Sequence, residues 1–227
     1  MIDTLTRMFQ SWRGPKRSEL RHALVGRPDL WPMKRAFQID FLRRQGLRTS
    51  DRLLDIGCGS LRGGAALIAY LDPAGYCGID VRESVLAEAR EELRREKLQG
   101  RRAELVLAPD MTVLDLGRRF DVLWAFSVLF HLSDPVLEGC MAMVARHIEE
   151  KGVFFANVIV GDGPPGQWQG FPVASRPLSF YQELAHRHGL EAQAMATLAQ
   201  CGHDSGDPSQ DSQIMMRFAR SVDAGRS

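Results

Sequence analysis

The sequence predicts one doubly wound α/β domain: a mostly parallel sheet covered by helices and preceded by a helical N-terminal cap. Three observations carry that reading. Short β-rich runs alternate with helical patterns from Asp51 onward, the order expected when helices cross over between parallel strands. One strand-like run breaks into Gly57-Cys58-Gly59 and then into a helix, a pattern that brings backbone close to a ligand. The chain has 227 residues, enough for one large domain but not for two full-sized ones.

Each element has its own warrant. Residues 52–56 form a short apolar strand, and a helix over 63–71 ends at Asp72-Pro73. Residues 76–79 give a second strand, stopped at Asp80. Ser84 is read as the cap of a helix to about residue 98, with Val85, Ala89 and Leu93 on one face. Strands follow at 103–107 and 120–126. Ser133 or Asp134 opens a helix to about residue 150, with Pro135 at a permitted first-turn position. The fifth strand covers 152–160. Residues 161–177 are too rich in Gly and Pro for regular structure, and loops of that length are often functional. Ser179 caps a helix to His188, closed by Gly189. Runs at 191–198 and 213–220 make two last strands, an antiparallel pair at one edge, joined by a polar loop. The expected division is a cap over 1–48, a ligand-binding domain over 49–222 and a tail over 223–227.

Composition narrows the function. Apolar residues make up 44% and charged residues 25%, the mix of a globular chain rather than a disordered one. No apolar run approaches the roughly 20 residues of a membrane span, and the start shows no signal-peptide core. Four cysteines without metal spacing fit a reduced, cytoplasmic protein. Charge is uneven: residues 1–48 hold eleven basic and four acidic residues, net +7, against net −6 for the remainder.

The glycine turn is the most informative stretch. In GCGSLRGG the third glycine falls one place late for a dinucleotide fingerprint, and Asp55 precedes the turn. An acid there repels a pyrophosphate and favours an ammonium or sulfonium. Asp80 ends the second strand, where a carboxylate accepts both hydroxyls of a ribose. Asp110, after the third strand, is placed to accept an adenine amino group, with Ile79, Val81 and Met111 around the ring.

Asp55-Ile56-Gly57-Cys58-Gly59, Gly78-Ile79-Asp80 and FDVLWAFSVLFHL at 120–132 resemble, in this order, the motifs of class I S-adenosylmethionine-dependent methyltransferases. The resemblance covers residues 52–160, with the C-terminal strands joining by topology. It implies a seven-stranded sheet whose last strand is inserted antiparallel, and S-adenosylmethionine as cofactor. By the same resemblance Gly57 and Gly59 approach the methionine part, and Asp55 lies near its amino group, directly or through water. Asp80 holds the ribose, Asp110 and Met111 the adenine, with Val81 and Phe126 completing the set.

On the acceptor side, His131 follows the fourth strand near the carboxyl ends of the strands, and its ordinary pKa suits a general base. Asn157 interrupts an apolar strand and needs a polar partner. Tyr181 is the third candidate for a catalytic role, in a set of aromatics (Trp168, Phe171, Phe180, with Phe9, Trp12, Trp31 and Phe37) expected to form a lid. His203, with Cys201 and Asp204, is read as an isolated polar loop. The expected activity is methyl transfer to a small-molecule acceptor, with no membrane partner. Two alternatives use the same cofactor: a cyclase releasing methylthioadenosine and a small cyclic amino acid, and an RNA or protein methyltransferase using the basic N-terminal segment. That segment is expected to be a mobile cap, unnecessary for the central fold.

No metal is expected, because the cysteines lack metal spacing, His186 and His188 lie two apart on a helix and cannot share a face, and no carboxylate and histidine cluster sits beside the acceptor pocket. Turnover should therefore be unchanged by EDTA; a loss restored by magnesium or zinc would refute that.

Overall fold

In the computed structural model, which describes residues 26–221, a seven-stranded sheet runs in the order β3-β2-β1-β4-β5-β9-β8. The strands are β1 (Leu53–Ile56), β2 (Tyr76–Asp80), β3 (Glu104–Leu107), β4 (Phe120–Ala125), β5 (Ile148–Val158), β8 (Leu190–Thr197) and β9 (Ile214–Arg220). Strands β1 to β5 pair in parallel, and β9 runs antiparallel between β5 and β8. This is the class I methyltransferase sheet, its antiparallel strand next to the edge.

Burial explains why β1 and β4 sit at the centre. Every residue of β1 is buried, so it reads as a continuous apolar run rather than an alternating one. Leu53 and Leu54 face Val122 and Leu123 of β4 on one side, and Tyr76 and Cys77 of β2 on the other. Helices cover both faces. On one lie α1 (Trp31–Arg44), α2 (Gly64–Tyr70) and α3 (Glu83–Arg95); on the other lie α4 (Asp134–His147) and α5 (Leu178–Arg187).

Several boundaries differ from the sequence reading. Helix α3 begins at Glu83 with Arg82 as its cap, so Ser84 lies inside the helix and caps nothing. Helix α5 begins at Leu178 after Pro177, leaving Ser179 in its first turn. In both places the chain leaves extended geometry before the serine is reached. Strand β5 starts at Ile148, earlier than expected, because Ile148 pairs with Phe120 ahead of a register shift in β4.

The Gly- and Pro-rich stretch after β5 is not wholly irregular. It holds a hairpin, β6 (Gly166–Trp168) and β7 (Phe171–Val173), joined by Gln169 and Gly170. Both turn residues have positive φ, 49° and 83°, the conformation that closes a two-residue hairpin with the right twist. The polar loop between β8 and β9 likewise contains a short helix, α6 (Pro208–Asp211), capped by the Asp207 carboxylate on the Ser209 amide.

The N-terminal helix corrects a larger expectation. Phe9 and Trp12 lie outside the described residues. Helix α1 is not a detachable cap: Phe37, Phe41 and Leu42 are buried in the core cluster of that face. Phe41 stacks on Trp124 at 5.6 Å and meets Phe155 edge-on at 5.5 Å. Gln38 accepts a hydrogen bond from the indole of the fully buried Trp124 at 2.9 Å. Without α1 that indole and the apolar face around it would be stripped of cover. Phe41→Ala should cost about 3–5 kcal/mol of stability in urea unfolding, and removal of residues 1–45 should abolish cooperative unfolding; a truncated chain with an unchanged midpoint would restore the cap reading.

Candidate active site

The carboxyl ends of β1, β2, β4 and β5 open on one cavity of about 640 Å³, within the range of small-molecule sites. The strand ends dictate its floor. After β1 the chain turns through Gly57 (φ 70°) and Gly59 (φ 58°). A Cβ at Gly57 would approach Val128 to 2.6 Å, so glycine is required there by both backbone and space. After β2 comes Asp80, after β4 Phe126 and Ser127, and all of them line the cavity.

Asp80 is nearly buried and already engaged. Its Oδ2 accepts the Gly59 amide at 3.1 Å and its Oδ1 accepts the Arg82 amide at 3.0 Å. Each carboxylate oxygen keeps a further lone pair for a ligand hydroxyl. The two amides also fix the carboxylate against the glycine turn. Asp55, buried at the end of β1, accepts a hydrogen bond from the Tyr76 hydroxyl at 2.6 Å. Burial pushes its carboxyl up to about 7, against the Tyr76 hydrogen bond; the Asp80 charge adds to the rise and Arg62 opposes it. A carboxyl held near neutrality inside a cavity is what an incoming ammonium would ionise and pair with.

The other expected residues divide. Val81, Met111 and Phe126 line the cavity. Asp110 does not: it is exposed, and its carboxylate accepts the Thr112 amide at 2.8 Å, a turn role. Its neighbours Ala108 and Met111 line the cavity instead. Tyr181 is fully buried in the core cluster of the opposite face and is not part of the cavity wall. Of the expected lid aromatics, Trp168 and Phe171 reach the cavity through the hairpin; Trp31, Phe37 and Phe180 do not.

Asn157 lies behind the wall, wholly buried. Its Oδ1 accepts the Ser127 amide at 2.7 Å, and its Nδ2 donates to Gln213 at 2.6 Å. Ser127 has φ 61°, a left-handed backbone that costs a non-glycine residue roughly 1–2 kcal/mol. Asn157 thus holds a strained turn in place and does not itself face a ligand.

His131 does face the cavity. Its Nδ1–H donates to the Pro172 carbonyl at 2.9 Å, which leaves Nε2 as the bare nitrogen of the neutral ring. The Trp168 and Phe130 rings lie 5.2 and 4.5 Å away. Burial lowers its pKa from the usual value, the Pro172 carbonyl resists, and the Arg82 cation lowers it further.

A second wall escaped the sequence reading. Lys34 and Gln38 of α1, Arg62 of the glycine turn, and Asp207, Ser209, Gln210 and Gln213 from the β8–β9 connection all border the cavity. His203 is not isolated. It is buried edge-on against Phe37 at 5.0 Å, with Nδ1 bound to Asp211 at 2.7 Å. The only advance signal was the Asp-Pro-Ser helix start at Asp207.

The comparisons with known proteins meet this geometry. A family model described as a methyltransferase domain matches residues 54–154. Over that stretch the chain is similar to methyltransferase domains, and its sheet has the class I methyltransferase order. Solved structures agree on the fold. The CcbJ methyltransferase from Streptomyces caelestis is 16% identical with a TM-score of 0.66, over 84% of this chain and 96% of its own. The glycopeptide N-methyltransferase MtfA, complexed with sinefungin, is 16% identical at 0.64, over 82% and 94%. An S-adenosylmethionine-dependent methyltransferase from Clostridium acetobutylicum is 12% identical at 0.63, over 96% and 98%. No curated protein sequence matches the chain. Among the described residues no helix is long and apolar enough to cross a membrane.

The cavity thus presents two buried acids beside the glycine turn, Asp80 with lone pairs to spare and Asp55 bonded to Tyr76. Asp80→Ala should weaken S-adenosylhomocysteine binding roughly tenfold or more, since a charged hydrogen-bond partner is lost from a buried site; equal affinities in calorimetry would remove Asp80 from the cofactor site.

Proposed function

We propose that this methyltransferase acts on a small-molecule acceptor and that His131 is its general base. The observation that carries the reading is the His131 ring, set in the cavity wall with its Nδ1 proton committed to Pro172 and its Nε2 open. S-adenosylmethionine supplies an electrophilic methyl group on a sulfonium. An acceptor hydroxyl or amine attacking that carbon displaces the sulfur, which keeps the C–S bond pair, while the acceptor's proton passes to Nε2 of His131. The Pro172 carbonyl holds the tautomer that can take it and stabilises the imidazolium that results.

Three features support a compact acceptor. The space is about 640 Å³ and has to hold a nucleoside as well. The hairpin lies over it through Trp168 and Phe171. The return of the hairpin is anchored, with the Ala174 amide on the Phe130 carbonyl at 2.9 Å and Arg176 on both Asp134 and the Leu132 carbonyl. By this reading Asp55, Gly57, Gly59 and Asp80 hold the cofactor, with Val81, Met111 and Phe126 against it, and Asn157 positions Ser127.

The test is incubation with S-adenosylmethionine and fractionated metabolites. S-adenosylhomocysteine released with a methylated product supports the proposal, whereas methylthioadenosine would replace it with the cyclase reading. His131→Ala should lower kcat by about 10²–10⁴ with S-adenosylhomocysteine affinity within about twofold. Because the His131 pKa is lowered, the base stays neutral to below the usual value of about 6.5, and the acid limb of kcat/KM in the parent should fall there and be absent from the variant. A variant with the parent's rate and pH profile would make His131 structural.

A further inference from the structure

Lys34 is the least satisfied charge in the cavity. Its side chain is 8% exposed, and among the described residues its ammonium makes one hydrogen bond, to the neutral Oε1 of Gln210 at 2.6 Å, and no ion pair. An ammonium has three protons to donate, and a buried cation without a counter-charge either finds an anion or gives up its proton. The acids that face it are engaged elsewhere. Asp207 caps α6 and accepts from the Gln210 side-chain Nε2 at 2.8 Å, and Asp211 holds His203 and Ser205. Its other charged neighbours are cations. Arg62, 8% exposed and ranged over the Phe126 ring, and the exposed Arg27 both repel it. Burial, foremost, and Arg62 bring Lys34 down to about 7, with Asp207 and Asp211 pulling the other way. His203, buried and with an Nε2 that has no partner, feels the Lys34 and Arg62 cations.

We propose that Lys34 and Arg62 together hold an anionic group of the bound ligand, a carboxylate, at the wall of the cavity that faces the β8–β9 connection. The inference rests on the methyltransferase reading, since the ligand is either the acceptor or the amino-acid end of the cofactor. A carboxylate there supplies the counter-charge that the described residues withhold, restores the lysine's proton, and takes up its unused donors. In the ligand-free protein the lysine is a cost; in the complex it is an anchor.

Calorimetry on the full chain and on Lys34→Met separates the sources. The variant keeps the length of the side chain and removes the charge, so its ligand-free melting temperature should equal or exceed that of the parent; Lys34→Gln serves if the methionine variant is unstable. If the carboxylate is the cofactor's, the variant should lose about tenfold or more in affinity for S-adenosylhomocysteine and less than twofold for methylthioadenosine, which lacks the amino-acid end. If it is the acceptor's, S-adenosylhomocysteine affinity should not change, but acetate titrated onto the loaded parent should bind with proton uptake at pH 8 and fail to do so in the variant. Unchanged affinities, together with acetate behaviour indifferent to Lys34, would overturn the subsite and leave the cofactor reading standing. Failure of S-adenosylhomocysteine to bind the parent would overturn the cofactor reading itself, and the subsite with it.

Discussion

The carboxamide of Asn157 joins three strand ends that no backbone ladder would hold in the geometry a ligand needs. It accepts the amide of Ser127, just past β4, and donates to Gln213, just before β9. The parent strand β5 pairs with both of those strands, so the ladder fixes the distance and the carboxamide fixes the turns. Ser127 can then keep an unfavourable φ, because leaving it would orphan a buried amide oxygen, a penalty of roughly 1–3 kcal/mol. The cavity floor between the glycine turn and the β8–β9 connection depends on that balance.

Around this floor the cavity buries charge of both signs. Asp55, Asp80, Lys34 and Arg62 are all buried and all line it. Such groups seldom stabilise a fold, since desolvation matches or exceeds what their mutual attraction returns. The ionisation of two of them is displaced accordingly, Asp55 raised and Lys34 lowered. Stability is given up for a prepared binding surface, the usual relation between a site and its scaffold. The two aromatic cores, one on each face of the sheet, supply the margin: Trp124 and Tyr181 are completely buried, and Phe41 stacks on the first of them.

Much of this was readable from the chain because the signals are local. Asp55, Gly57, Gly59 and Asp80 sit at strand ends, where a change from apolar to small or acidic residues marks both the boundary and the site. The alternation of strands and helices gave the sheet. Asp110 misled because an acid after a strand serves a turn as readily as a ligand, and nothing nearby in sequence tells the two apart. The lid aromatics misled for another reason: Phe37 and Tyr181 are large aromatics like Trp168 and Phe171, and only packing decides which face a core. Lys34 and Gln210 were invisible together because 176 positions separate them. The hairpin was hidden by its own glycines and prolines, which suit a tight reversal as well as a disordered loop.

The bond between His131 and Pro172 ties the state of the ring to the position of the hairpin. Proline has no amide hydrogen, so its carbonyl is the one backbone group at that position able to speak to the ring, and it can only accept. When the hairpin is seated, the imidazole is held with its basic nitrogen free. Should the hairpin lift to exchange one molecule for another, the carbonyl goes with it, and the ring is free to turn or to switch tautomer in water. On the proposed reading of His131 as base, the seated hairpin and the competent ring orientation therefore go together.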